Sequence, residues 1–515
     1  MVASGDCSIF KIRNFMIKEL NELTWLVSEN VTRAEEHLAF LCKNKSEVIC
    51  LYRAVRDHRF HTDEEAIKTA RIGERTSYKK YGRMLIEHLR QLVFFLSPPN
   101  APYIRARNDG FRALSIMKLA DFSSSKHAAR QIALDLLDNG LKNERPEWVV
   151  EATRTLMDSI VTGEYNKINE FDRYADLFQE FKSYRDWEQK AKLYFDLIRL
   201  NYVRKKGYRI EIIQQIEEYV EELRPMASKI PSMTFNLCYY LLAYDRHFLT
   251  GNYGIALNVL ENAIQHFQSR PYQANQVLLL FYYRKIMCYK QLDMYEEGVD
   301  AMQQSLKLSN EGTINWYAVL EIHYYLSMRM GHYEQALEIW KKATGHKRFS
   351  AQRKTIQEIW NIFGAYIFLT FQLTSIDESD KGLPRFRAAK FVNEVPVFSQ
   401  DKNGLNVAVL IAHFLLHFVE GKKDEIGERV EALEKYRERY LRSEETRRSG
   451  NFIKILVAIA RTDFQRLRYV PKVDPLLKNL KESNYDNSNQ PYEMEIIPYL
   501  KLYELVRNFS PVSSH

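Results

Sequence analysis

Glycine and proline are scarce in this chain, 19 and 14 among 515 residues. All-β folds need turn residues at short intervals, and that supply is missing. Leu, Glu, Lys, Arg and Gln, all good helix formers, fill the intervals instead. Cysteine is scarcer still: Cys7, Cys42, Cys50, Cys238 and Cys288, with no CxxC spacing and an odd count. No disulfide framework is legible, and buried thiols in a reducing compartment are expected. Long apolar runs are lacking too. The longest, Val407 to Val419, is interrupted by His413 and His417 and is too short to cross a bilayer. Between Met1 and Ile17 no basic patch leads into an apolar stretch, so no secretory signal is expected and the cytoplasm is the expected location. Charge of one sign is in small excess only. A net +8 is compatible with nucleic acid without demanding it.

Catalytic motifs are missing as well. The chain has no GxxxxGK followed by Ser or Thr, no GxGxxG, no GxSxG, no HExxH and no protein-kinase set. The expectation is a protein that is not an enzyme and carries no cofactor. What remains is a well-ordered composition, 46% hydrophobic and 27% charged. Aromatics reach 13%, with 32 Tyr and 28 Phe, and their expected use is to fill seams between helices. A chain this long exceeds one ordinary compact core, so it is either several domains or a stack whose core grows with length.

Three short segments favour the stack. Gly251-Asn-Tyr253-Gly-Ile-Ala256, Asp293-Met-Tyr295-Glu-Glu-Gly298 and Gly331-His-Tyr333-Glu-Gln-Ala336 each open an amphipathic stretch after a helix-length apolar one. Their tyrosines recur after 42 and then 38 residues. Recurrence at that distance marks stacked helical hairpins. Further along each second helix come Leu260 and Ala263, Met302 and Ser305, Trp340 and Ala343. Small residues at Ala256, Gly298 and Ala336 let two helices approach, and the tyrosine rings wedge the turn.

On these residues the chain resembles the tetratricopeptide-repeat family over 232–346. The recurrence is longer than that family's usual period of about 34 residues, and Tyr244, Ile286 and Tyr324 stand where a small residue is usual in each first helix. The resemblance implies an α-solenoid whose first helices line an extended concave face that holds a peptide or helix of another protein. Carried over, those positions are Leu280, Tyr283, Met287, Lys290 and Gln291 in the second unit, and Ala318, Glu321, Tyr325, Met328 and Arg329 in the third. Tyr283, Met287 and Tyr325 would anchor the partner, and Lys290 and Arg329 would meet acidic groups.

The rest of the chain also reads as helix. Residues 1–100 form an N-terminal module with helical spacing over Phe10 to Leu26 and Ala34 to Val55, ended by the prolines of 97–102. Hairpins over 101–235 lead into the repeats of 236–346, with helix-length segments that include Tyr165 to Lys182 and Trp187 to Val203. Residues 347–515 supply further pairs, a loop at 374–404 and a capping helix near 494–506.

Scattered polar groups carry weaker signals. His58 and His61 with Asp57 lack the convergent ligands that zinc needs. His413 and His417 lie one helical turn apart near Glu420, among apolar neighbours that suit a packed interior helix. Glu217, Glu218, Glu221 and Glu222 beside Arg224 read as a solvated face. The basic stretch within 381–390 reads as a surface loop. Residues 62–92 are more specific: helix, tight turn at Ile72-Gly73, then a helix from near Thr76. That is the outline of a helix-turn-helix, in which Thr76, Ser77, Lys79, Lys80 and Arg83 would face phosphates or the major groove. The alternative there is an ordinary exposed basic face. The sequence therefore predicts an all-α solenoid acting as a scaffold or adaptor for a partner protein, with a homo-oligomer compatible with it. The alternative is a DNA-binding regulator whose solenoid senses a ligand or partner.

Overall fold

The computed structural model describes residues 15–27, 31–42, 46–58, 60, 62–96, 102–162, 168–205, 210–227, 229–272, 274–374, 391, 405–442, 446–461, 473–482 and 495–509. All regular structure among them is helical, as the composition predicts. The chain divides into two compact units. One holds Met1–Glu188 with Pro231–Met233 and Pro271–Gln273, and the other Gln189–Ile230, Thr234–Arg270 and Ala274–His515.

The first unit opens with α1 (Phe15–Leu26), α2 (Val31–Leu41), α3 (Ser46–Asp57), α4 (Asp63–Thr69) and α5 (Arg75–Phe95). Helix α5 is the axis of this group, packed on α1, α2 and α3. It buries Tyr78, Leu85, Leu89 and Leu92 against Leu20, Leu38, Leu51 and Tyr52. The continuous helix expected from Ala34 to Val55 is instead α2 and α3. Cys50 is exposed, against the expectation of buried thiols, because Val48, Leu51, Tyr52 and Val55 take the inward side of α3. Cys42, Cys238 and Cys288 are buried, and Cys7 lies outside the described residues. A second core in this unit joins α6 (Pro102–Phe122), α7 (Lys126–Lys142), α8 (Pro146–Val161) and the start of α9 (Ile168–Lys205), around Trp148 and Leu156. Helix α9 runs unbroken for 38 residues where two helices were expected. Neither Gly nor Pro stands between Lys182 and Trp187 to stop it.

The second unit contains α10 (Ile210–Leu223), α11 (Met233–Leu249), α12 (Tyr253–Gln268), α13 (Asn275–Gln291), α14 (Tyr295–Leu308), α15 (Ile314–Met330), α16 (Tyr333–Thr344) and α17 (Lys354–Thr374). It continues with α18 (Leu405–Val419), α19 (Lys423–Tyr440), α20 (Arg447–Arg461), α21 (Asp474–Glu482) and α22 (Tyr499–Asn508). From α12 through α21 each helix packs on the next in chain order. Helix α22, the expected cap, lies against both α17 and α21. The residues expected to close the helix pairs do so. Ala256, Ala336, Ala263, Ala343 and Leu260 are fully buried, and a Cβ on Gly298 would lie 2.5 Å from Leu326 Cδ2. The large residues that replace small ones, Tyr244, Ile286 and Tyr324, are buried too, and the Tyr324 hydroxyl donates to the Phe363 carbonyl at 2.8 Å.

One turn recurs throughout. Arg71, Ser124, Glu144, Gly251, Asp293, Gly331 and Gly421 all have left-handed backbones, with φ between 52° and 86°. After each, the next amide donates to the carbonyl five residues before it, at 2.8 to 3.1 Å. This is the Schellman closure, which satisfies carbonyls that a helix end otherwise leaves open. In all but the first, the next helix starts two residues after the left-handed one. Only three of these seven positions are glycine, and an L side chain there costs about 1 kcal/mol. Gly331→Ala is therefore expected to lower stability by about 1 kcal/mol, and exposed Ser124→Gly to raise it by up to about 1 kcal/mol, in urea titrations. Equal signs for the two would contradict this account.

Candidate partner-binding face

The first helices of successive hairpins form one layer. Helix α13 touches α15. It meets α11 through Tyr240 and Phe281, with ring centres 6.4 Å apart, and through Arg284, whose guanidinium sits 5.3 Å from the Tyr244 ring. Leu280, Tyr283, Met287, Gln291, Ala318, Glu321, Tyr325 and Arg329 are half-buried on this layer. Two of the expected contact residues are not at the surface. Met328 is fully buried in the core with Trp316 and Tyr324, and Lys290 is only 7% exposed.

The two expected cations have partners inside the fold. Arg329 Nε donates to Asp293 Oδ1 at 2.8 Å and so ties the end of α15 to the left-handed turn before α14. Lys290 Nζ lies 5.9 Å from the centre of the Tyr325 ring. Loss of hydration pushes its ammonium down to about 8, Arg329 adds to that, and Glu495 opposes it.

The acids behave differently. Loss of hydration alone pushes the Glu321 carboxyl up to about 7. No hydrogen bond or ion pair from the described residues reaches it. Its charge helps hold the neighbouring Tyr283 phenol up at about 12, although burial is the larger cause. On α11, burial pushes Asp245 up to about 6, against the pull of Arg284. The Arg284 Nε is itself buried without an acceptor. Asp245 and Arg284 were not among the residues predicted for this face. A signal for Asp245 existed: it stands six residues before Gly251, as Met287 stands before Asp293 and Tyr325 before Gly331. The helical period carried a signal for Arg284 too, since it stands four residues after Leu280 and three before Met287 on the same face of α13.

The α4–α5 corner has the predicted two-helix outline. Buried Tyr78 donates to Asp63 Oδ1 at 3.0 Å and pins the two helices. Thr76, Lys79, Lys80 and Arg83 are exposed and Ser77 is half-buried. Thr76 Oγ1 donates to Glu74 at 3.0 Å. Of the flanking cations, Arg75 pairs with Glu64 and Arg90 with Glu19.

The remaining candidates resolve into packing and ion pairs. His413 is buried with its ring 5.4 Å from Phe391, and burial pushes its imidazole down to about 4. Glu420 pairs with Lys422 at 2.8 Å. Among the described residues no group of three or more His, Cys, Asp or Glu is placed to hold a metal. His61 and the basic stretch of 381–390 lie outside those residues, as does most of the 374–404 loop. Glu217 and Glu221 pair with Arg246, and Glu222 with Lys190. No described helix is long and apolar enough to cross a membrane.

No protein-family model, no curated protein and no solved structure matches this chain.

Proposed function

We propose that the chain is a non-catalytic scaffold or adaptor of tetratricopeptide-like helical repeats, working in the cytoplasm, and that it holds a segment of a partner protein against α11, α13 and α15. The observation that carries this reading is Glu321, a half-buried carboxyl with no partner among the described residues, set beside Tyr283 on adjoining first helices. A group stripped of water and left unpaired costs stability unless a ligand completes it. Tyr283, Met287 and Tyr325 supply apolar and aromatic area around it. Lys290 and Arg329 are already engaged, and Arg284 sets one cation against the two acids Glu321 and Asp245, so the layer keeps an acidic excess and the partner segment carries Lys or Arg.

The sign of the pH dependence follows. A carboxyl attracts a cation only when ionised, and Glu321 and Asp245 ionise as pH rises through about 7 and about 6. Capture of a basic partner is expected to strengthen from pH 6 to pH 8. The test is affinity capture on immobilised full-length chain from native lysate, quantified by mass spectrometry. Glu321→Gln keeps the shape and is expected to lower recovery of the partner about tenfold, the weight of one charge-assisted hydrogen bond. Tyr283→Ala should lower it as well. An identical set of captured proteins from wild type and both variants, at both pH values, would refute the reading.

A DNA-binding role is supported by one feature. Lys79, Lys80 and Arg83 stand exposed on α5 with no ion pair to described residues. Gel-shift titration with duplex DNA decides it: binding with a steep salt slope, lost on replacing these three by alanine, favours regulation.

A further inference from the structure

Three ionisable side chains lie in a row across the first helices, Asp245 on α11, Arg284 on α13 and Glu321 on α15. Their neighbours fix their level along the helix axes. Tyr240 stands opposite Phe281 and Tyr244 opposite Arg284, which sets α11 against α13, and the Arg284 charge acts on Asp245. The Glu321 charge acts on Tyr283, the residue before Arg284, which sets α13 against α15. Across the row the signs alternate: minus, plus, minus.

The row is not satisfied within the fold. Asp245, Arg284 and Glu321 are half-buried, and their side chains make no hydrogen bond and no ion pair with described residues. Arg284 lies over the Tyr244 ring without closing on a carboxylate. Of the polar atoms of the three, only the Arg284 Nε, behind the guanidinium fork, is sealed from solvent, so both carboxyls and the fork itself are open. Apolar surface fills the intervals, with Leu280, Tyr283, Met287 and Ala318 half-buried on the same layer.

Resting on the scaffold reading, we propose that the partner segment crosses α11, α13 and α15 in polyproline II conformation, with Lys or Arg on Asp245, Asp or Glu three residues on at Arg284, and Lys or Arg three residues further at Glu321. The spacing selects the conformation. Packed helices lie about 8–10 Å apart. Polyproline II has three residues per turn and rises about 3.1 Å per residue, so every third side chain points the same way about 9 Å along. In a β-strand the third residue points to the opposite face, and in an α-helix it advances only about 4.5 Å. Aromatic-lined grooves also suit the rings of proline.

The test is fluorescence polarisation of the full chain with three labelled, end-capped peptides. Lys-Pro-Pro-Glu-Pro-Pro-Lys carries the pattern. Lys-Pro-Pro-Lys-Pro-Pro-Lys replaces the central acid, and Lys-Pro-Pro-Pro-Glu-Pro-Pro-Pro-Lys keeps the charges at the wrong spacing. The first should bind with a dissociation constant below about 1 mM, and the other two about tenfold more weakly. Unspecific attraction to an acidic face would instead favour the peptide with three lysines. Changes in the peptide leave the protein untouched, so misfolding cannot mimic this result. Arg284→Glu, with a melting curve like that of wild type, should reverse the preference between the central glutamate and the central lysine, and the milder Arg284→Gln should abolish it. No binding of the first peptide at about 1 mM, equal binding of all three, or a preference unchanged in both variants overturns the proposal. If that occurs while Glu321→Gln still loses captured protein from lysate, the scaffold reading stands and the charge pattern alone falls. If capture is unaffected as well, both fall.

Discussion

Arg448→Ala is expected to destabilise the second unit by about 3–5 kcal/mol at neutral pH, because it strands a buried carboxylate. The Arg448 and Glu495 side chains are 8% and 0% exposed. Arg448 donates from Nε and Nη2 to Glu495 and from Nη1 to the Leu480 carbonyl at 2.7 Å, so one guanidinium joins α20, α21 and the segment leading into α22. The Tyr499 amide donates to Glu495 at 3.3 Å, and the Ser449 and Tyr499 hydroxyls meet at 2.9 Å. Loss of hydration raises the Glu495 carboxyl above its ordinary value of 4.5 even with Arg448 opposing it. Removing Arg448 raises it further. A carboxyl raised on folding contributes stability that is present below its unfolded value and is lost as pH rises through the folded one. The deficit of Arg448→Ala should therefore be largest at neutral pH and shrink as pH falls toward 4.5. Urea unfolding at pH 7 and pH 5 measures it. A deficit that stays constant with pH would mean that the stranded charge is not the cause. Arg448→Met with Glu495→Leu, which removes both charges, should recover most of the loss.

Trp360→Ala is expected to cost about 3–5 kcal/mol for a different reason, the cavity it leaves. Trp360 is fully buried on α17, with the rings of Phe363, Tyr324 and Tyr317 at 5.2, 6.1 and 6.5 Å. Its carbonyl accepts from Trp340 Nε1 at 2.8 Å, which binds α16 to α17 through the backbone and survives the substitution. The Trp360 indole N–H is buried without an acceptor. Trp360→Phe keeps a ring and removes that unsatisfied donor, so it should cost clearly less, about 1–2 kcal/mol. Equal losses for Ala and Phe in urea titrations would show that volume is not what matters at this position.

Much of the helical plan is legible in residue order. The scarcity of Gly and Pro excludes sheets, and Gly251, Asp293 and Gly331 mark three hairpin turns. The same closure at Arg71, Ser124 and Glu144 is hidden, because an L residue at positive φ carries no label in a sequence. The α4–α5 outline is legible because Thr62 caps α4 and Tyr78 falls on the inward side of α5. The state of individual charges is not. Lys290 and Glu321 both sit on first helices, three and ten residues before a turn, and the helical period alone suggests that both face outward. Lys290 is buried with the Tyr325 ring near its ammonium, and Glu495, more than two hundred residues away in the chain, comes near enough to act on its charge.

The sequence by itself determined that this protein is all-helical and that its helices pair in order between 232 and 346. Helical period, turn residues and small contact residues are local properties that neighbours in the chain carry with them. Only the tertiary structure decided which polar groups are left without a partner. Glu321 and Asp245 owe their state to loss of water and to side chains brought near from other helices. Hydration and long-range proximity are properties of the packed chain, so no reading of one segment contains them.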